Sequence, residues 1–279
     1  MPVTALLAVL LAAVLHASWN AVVHALEDRL VGFVLIGTGY TVCAAGIVLA
    51  SPAPARASWP FIAVSAVLQV AYNLLLMRCY QLGDFSQVYP ISRGTSPWLV
   101  AVGAAVFAGE VLAPAQAAGL VVISAGLGCL MFAGGRPGRA QLPAIAAALL
   151  TGVTIAAYTT VDGLGVRQAH TTAGYTGWLF LLQGPVLPLA ALVARGRKLW
   201  VQVRPHLTTG LIGGVLSLTA YALVLWAQTR GALGPVAALR ETSIIVGAAI
   251  GALVFHERFG RWRVTAAVLI TAGVVLMSL

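Results

Sequence analysis

Apolar runs of about twenty residues recur along the whole chain, and that is the length an α-helix needs to cross the hydrocarbon of a bilayer. The breaks are short and polar: Glu27-Asp28-Arg29, 51–58, Gly83-Asp84, 109–114, 134–139, 163–171, 195–206, 230–234 and 256–263. They leave ten segments, at roughly 3–26, 30–50, 59–82, 86–108, 114–133, 141–162, 172–194, 207–229, 234–255 and 262–279. Only 8% of the residues are charged, against about 25% in a soluble domain. Too little charge is present to cover a water-soluble fold, so an all-α, multi-pass membrane protein embedded in the lipid bilayer is expected.

The second half repeats the first. Arg93-Gly-Thr-Ser is followed by Glu110 after 17 residues, and Arg240-Glu-Thr-Ser by Glu257 after the same interval. Each Glu is followed 16 residues later by a glycine, Gly126 and Gly273. Ten segments and one repeat divide into two sets of five, residues 1–133 and 141–279, joined through 134–139. Because five is odd, the second set enters the membrane from the opposite side. The expected architecture is therefore ten transmembrane helices in two inverted five-helix repeats, with a binding site near the midplane between them.

The net charge of +9 does not point to nucleic acid, because the basic residues are scattered over short connections rather than clustered. A cytoplasmic N-terminus would leave three of the arginines and lysines in those connections inside and ten outside. The positive-inside rule thus favours both termini outside. Cys43, Cys79 and Cys129 are odd in number and form no CxxC pair, so neither a disulfide framework nor a metal site is expected, and no cofactor motif is present.

Several polar residues sit inside the apolar segments. Arg93 and Arg240 lie about seven residues into the fourth and ninth. An arginine at that depth costs a few kcal/mol unless it is paired or faces water. It either bonds to backbone carbonyls near the interface, or faces a cavity where it holds an anion or couples to Glu241. A guanidinium suits a carboxylate or phosphonate because its planar fork donates two parallel hydrogen bonds. Glu241 neighbours Arg240, so their side chains diverge by about 100°; it could neutralise an arginine, bind an amine or carry a proton. In the first segment His16, Asn20 and His24 form one helical stripe beside Trp19. This stripe is expected to face the bundle interior, with His16 and His24 as candidates for proton coupling. Two histidines alone make a weak metal signal. Tyr72, Tyr89, Tyr158 and Tyr221 are, with Trp19, the aromatics that could line a cavity. Tyr89-Pro90 and Pro97 bracket Arg93, and membrane prolines free carbonyls and bend helices. Glu110 and Glu257, at segment ends, read as caps of the following helices. Gly247-Ala-Ala-Ile-Gly251 permits close helix packing, within the bundle of a monomer or across a homodimer.

These residues resemble a known family. Ten segments, a five-plus-five repeat and a Gly-Glu or His-Glu at the end of the fourth and ninth are similar to EamA-type transporters of the drug/metabolite transporter superfamily. Leu15-His-Ala-Ser-Trp-Asn20, Tyr89-Pro-Ile-Ser-Arg-Gly-Thr-Ser-Pro97 and Leu239-Arg-Glu-Thr-Ser243 resemble a subset found beside phosphonate-utilisation genes. The resemblance spans the chain and implies both termini in the cytoplasm, against the loop charges. It also implies a place in the cell (plasma or inner) membrane. With no Walker motif, the expected function is secondary transport, as exporter or exchanger, of a small anionic or zwitterionic metabolite such as an amino acid or aminophosphonate. Two alternatives are transport of amines or choline through an aromatic cage, and flipping of a lipid-linked carrier. No Ser-His-Asp, paired-carboxylate or HExxH arrangement argues for an enzyme.

Overall fold

The computed structural model describes residues 1–24, 26, 28–82, 85–131, 141–253 and 261–278; within them the side chains at 23, 24, 29, 80, 85–90, 130, 131, 248, 251–253, 261, 263 and 278 are not described. The proposed joint at 134–139 lies outside the described residues. All regular structure among the described residues is helical. The helices are α1 (Val3–His24), α2 (Arg29–Ala50), α3 (Trp59–Leu82), α4 (Phe85–Ala108), α5 (Pro114–Met131), α6 (Leu142–Gln168), α7 (Thr172–Gln183), α8 (Val186–Arg195), α9 (Arg197–Val203), α10 (Leu207–Gln228), α11 (Leu233–Arg240), α12 (Ser243–Leu253) and α13 (Arg261–Ser278).

Among the described residues, six stretches are long and apolar enough to cross a membrane: Val3–Val22, Leu30–Ala50, Arg56–Cys79, Leu142–Gln168, Thr172–Arg195 and Arg197–Gln228. Pro114–Cys129 and Val264–Met277 are shorter apolar helices. Large apolar side chains such as Leu49 and Val193 point outward, about 90% exposed, which water would penalise and hydrocarbon would not.

Three boundaries differ from expectation. The sixth segment runs on to Gln168 instead of stopping at 162, because Leu164-Gly165-Val166 continues the apolar pattern and Gly163 and Gly165 only make room for Leu233 and for Phe61 and Tyr175. The seventh is two helices. Pro185 has no N–H to donate, so the ladder stops at the bond from Gly184 N to Phe180 O and restarts with Leu189 N to Pro185 O. The ninth is also divided. Glu241 N and Thr242 N bond back three residues, to Ala238 O and Leu239 O, tightening one turn between α11 and α12.

Packing is by small residues, as expected where hydrocarbon offers no hydrophobic drive between helices. α1 packs on α10, α11 and α12; α2 on α10 and α7; α3 on α6 and α7; α4 on α6, α5 and α11; α5 on α13. Some of the close approaches are backbone to backbone. A Cβ on Gly214 would lie 2.4 Å from Gly39 C and Tyr40 N, and one on Gly119 would lie 2.7 Å from Gly273 O.

Ion pairs tie the two ends of the bundle. At the α2 start, Asp28 accepts from Leu30 N and Val31 N at 3.0 and 3.3 Å and from Arg195 Nη1 at 2.5 Å, joining it to the end of α8. At the other end of α10, Arg167 donates to Glu110 Oε1 at 2.7 Å and to the carbonyls of Gln228 and Gly231, each at 2.8 Å. Glu110 also accepts from Leu233 N at 2.7 Å, so it caps α11 and not the helix that follows it. The following helix, α5, is closed by Gln116, whose side chain accepts from Ala113 N at 3.1 Å. Glu257, the repeat partner of Glu110, lies outside the described residues.

Two outcomes follow from this packing. Gly214→Ala should separate α2 from α10 and lower stability by about 1–3 kcal/mol, read as a fall in the thermal midpoint in detergent; an unchanged midpoint would mean the two helices do not touch there. Asp28 gives a pH effect. The Arg195 hydrogen bond holds its carboxyl below the ordinary value of 3.8. A depressed folded value stabilises fully above the ordinary one, and that stabilisation is lost as pH falls through the lower folded one. Asp28→Asn should therefore reduce the midpoint at neutral pH, and the gap to the unsubstituted protein should close in acid.

Candidate functional site

Seven helices enclose a cavity at the centre of the bundle. About 70 Å³ is open to the centres of water-sized molecules, room for roughly five or six of them. Its wall is aromatic: Trp19 from α1, Phe33 and Tyr40 from α2, Tyr72 from α3, Tyr158 from α6, Phe180 from α7 and Tyr221 from α10. Successive rings touch at edge or tilt geometry, Tyr72–Tyr158 at 5.5 Å, Tyr158–Tyr221 at 6.2 Å, Phe180–Tyr221 at 5.7 Å and Tyr40–Phe180 at 5.0 Å between centroids. Such contacts fix ring orientation beyond simple area burial. Polar groups enter from His16, Gln69, Asn73, Gln183, Ser217 and Arg240.

Arg240 is the distinctive one. It ends α11 where the span tightens, and only 4% of it is exposed. It makes no hydrogen bond or ion pair with the described residues, and its Nε is buried without a partner. A guanidinium with this burial normally has an anion on it. The divergence between residues 240 and 241 fits the arrangement: Arg240 lines the cavity, whereas Glu241 does not and accepts from Arg93.

Glu241 receives Arg93. Arg93 Nε donates to Glu241 Oε2 at 2.8 Å and Nη2 to Ser243 Oγ at 3.2 Å, all three residues being buried. Arg93 and Glu241 are not among the residues lining the cavity. The two motif arginines thus sit in different environments, one neutralised and one facing open space.

The other sequence candidates divide the same way. His16, Trp19, Tyr72, Tyr158 and Tyr221 line the cavity. Trp19 Nε1 donates to His16 Nδ1 at 3.3 Å, and Asn20 donates to the His16 carbonyl at 2.7 Å without lining the cavity. The side chains of His24 and Tyr89 lie outside the described residues.

Sequence reading missed Asp162. It is fully buried on α6, one turn beyond Tyr158. Tyr175 OH donates to Oδ1 at 2.8 Å, Gln69 Nε2 to Oδ2 at 3.1 Å, and Tyr221 OH to Oδ2. Gln183 Nε2 donates to Gln69 Oε1 at 2.8 Å, which fixes the Gln69 amide with its NH₂ toward the carboxylate. The available signal was a lone acid in an apolar stretch, but Gly163 beside it read as the end of the segment. No cluster of three or more His, Cys, Asp and Glu exists among the described residues.

Removing one member of the buried pair should be severe. Arg93→Gln strands Glu241 and should cost about 3–5 kcal/mol. Adding Glu241→Gln should restore much of that loss, which a thermal double-mutant cycle reads directly; additive losses would mean the two side chains do not interact.

Comparisons with known proteins agree with this architecture. A solved structure described only as "Crystal structure of protein" superposes with a TM-score of 0.74 at 18% identity, over 99% of this chain and 96% of its own. At that identity the likeness concerns the fold. No curated protein matches the sequence. The model of the EamA-like transporter family matches residues 142–279. With the apolar helices, this match fits a multi-pass membrane protein. Residues 142–279 are thus similar to the EamA-like transporter family.

Proposed function

We propose that the chain is a secondary transporter, working as an exporter or exchanger in the cell membrane, for a small anionic or zwitterionic metabolite. The observation that carries this reading is Arg240, a buried cation with no hydrogen-bond or ion-pair partner among the described residues, at an aromatic cavity. An anion there gains a charge-assisted, two-pronged contact. A zwitterion can also set its ammonium over one of the rings. The small cavity favours solutes of a few non-hydrogen atoms, such as a simple amino acid or aminophosphonate, and gives no support to a lipid-linked carrier.

We read the ten expected segments as two inverted five-helix repeats, over 1–133 and 141–279. The packing partners support this. Let α1 correspond to α6, α2 to α7–α8, α3 to α10, α4 to α11–α12 and α5 to α13. Exchanging the halves then turns α3 on α6 into α10 on α1, α4 on α6 into α11–α12 on α1, and α2 on α10 into α7 on α3. The pairs α5 on α13 and α2 on α7 map onto themselves. All of these contacts occur. The broken ninth span at the cavity, with polar groups at its break, also fits a transporter core.

The aromatic wall favours one competing reading, a cage for quaternary amines. Purified protein in liposomes separates the two, with labelled glycine, aminomethylphosphonate and choline as test solutes. Arg240→Lys keeps the charge but loses the fork, and should weaken glycine or aminomethylphosphonate by about 1–3 kcal/mol. A preference for choline that Arg240→Lys leaves untouched would establish the cage and refute the anion site.

A further inference from the structure

The carboxylate of Asp162 has no role in the anion site, yet it touches two of its walls. Tyr221 and Gln69 each line the cavity and each donate to Asp162 Oδ2. No arginine, lysine or histidine forms an ion pair with it among the described residues. Its hydrogen-bond partners are neutral: Tyr175, Tyr221 and Gln69. The tyrosine hydroxyls and the Gln69 amide present hydrogens, a set suited to a bare carboxylate. A metal cation needs oxygen lone pairs directed at it, and with Gln69 Oε1 held by Gln183 that amide cannot supply one. A proton needs only Oδ2 and a path.

We propose that Asp162 is the proton site of the transporter and that Tyr221 connects it to the cavity; this rests on the transport reading above. In the transfer, the Tyr221 O–H bond breaks as its proton passes to Asp162 Oδ2. The Tyr221 oxygen takes a replacement proton from a hydronium in the cavity, which leaves as water. The net change is one proton from cavity water to Asp162. Asp162 then donates to the Tyr221 oxygen, and the Tyr221 hydroxyl hydrogen is turned into the cavity, toward the space that Arg240 also faces. Protonation therefore adds a hydrogen-bond donor for an anion, so anion and proton bind together.

The titratable and charged groups around Asp162 are few. Tyr175 faces it from α7 and Tyr221 from α10, with Tyr158 one turn back on α6. α3 offers only Ser65 and Gln69. Arg240 of α11 and His16 of α1 line the cavity beyond Tyr221, while α4 turns Arg93 to Glu241.

The test begins without any transported solute. In infrared difference spectra of reconstituted protein between alkaline and acid pH, a buried carboxylic-acid band should grow as pH falls and be absent in Asp162→Asn. Tyr221→Phe should keep the band and shift its frequency, because one hydrogen bond to Oδ2 is gone. That shift decides the matter even where Asp162→Asn fails to fold. A spectrum identical in all three proteins, or a band that responds to sodium instead of pH, would overturn the proposal. In liposomes, the apparent affinity for glycine or aminomethylphosphonate should fall about ten-fold per pH unit above the Asp162 titration, as one linked proton requires, and stay flat in Asp162→Asn. Uptake independent of pH in the unsubstituted protein refutes the coupling. An Asp162 band present while no solute is carried at all upholds the proton site and refutes the transport reading instead.

Discussion

Inside a bilayer no water completes the valence of a polar group, and the internal chemistry of this molecule follows from that one deficit. Threonines in the helices return their hydroxyls to carbonyls four residues back, as Thr38 does to Val34, Thr95 to Ile91 and Thr151 to Ala147. Glycines bring backbones close enough for dispersion to replace the missing hydrophobic drive. Groups too strongly polar for these devices gather where several helices meet. Arg93, Glu241 and Ser243 form one such cluster, and Asp162 with two tyrosines and two glutamines forms another. What is left over after these internal pairings is the chemistry available to a ligand.

That remainder is traceable to one difference between two similar motifs. After the arginine, the first copy has Gly94 and the second has Glu241. Glu241 turns away from its own neighbour and neutralises the arginine of the other copy. Gly94 brings no acid in return; a Cβ there would meet only Leu127. Among the described residues, only Arg93 therefore forms an ion pair with Glu241, and Arg240 forms none. The chain tightens at Glu241-Thr242, next to the one residue of this pair that lines the cavity, Arg240.

Much of this was legible in the sequence because bilayer length and repeat spacing are local or periodic signals. Apolar runs of membrane length gave the helices, and the recurring Arg-x-Thr-Ser marked both arginines. Of the stripe, His16 lines the cavity, as do Trp19, Tyr72, Tyr158 and Tyr221, while Asn20 bonds back to its own helix. Long-range partners were not legible. Glu110 looked like a cap for the next helix, yet it caps one that begins 123 residues later. Asp162 was hidden by its neighbour, because a glycine reads as a break in sequence but here serves as a point of close packing. Nor could periodicity tell that Arg93 would be neutralised and Arg240 not, since that depends on which helix faces which.

The placement of charge also sets which contacts can yield. The pairs at the two ends, Glu110–Arg167 and Asp28–Arg195, are partly exposed, with side chains 21–40% accessible. Pairs of that kind contribute only about 0.2–1 kcal/mol each, and water can take over their hydrogen bonds when they part. The pair at the centre has no such substitute, for Arg93 and Glu241 are 3% and 0% accessible. On the proposed transport reading, a motion that opens one end and closes the other would separate only the replaceable contacts and leave the costly one intact. Arg240 lies next to Glu241 in the chain, so on the same reading a ligand held by it would stay in place while its access changed from one end to the other.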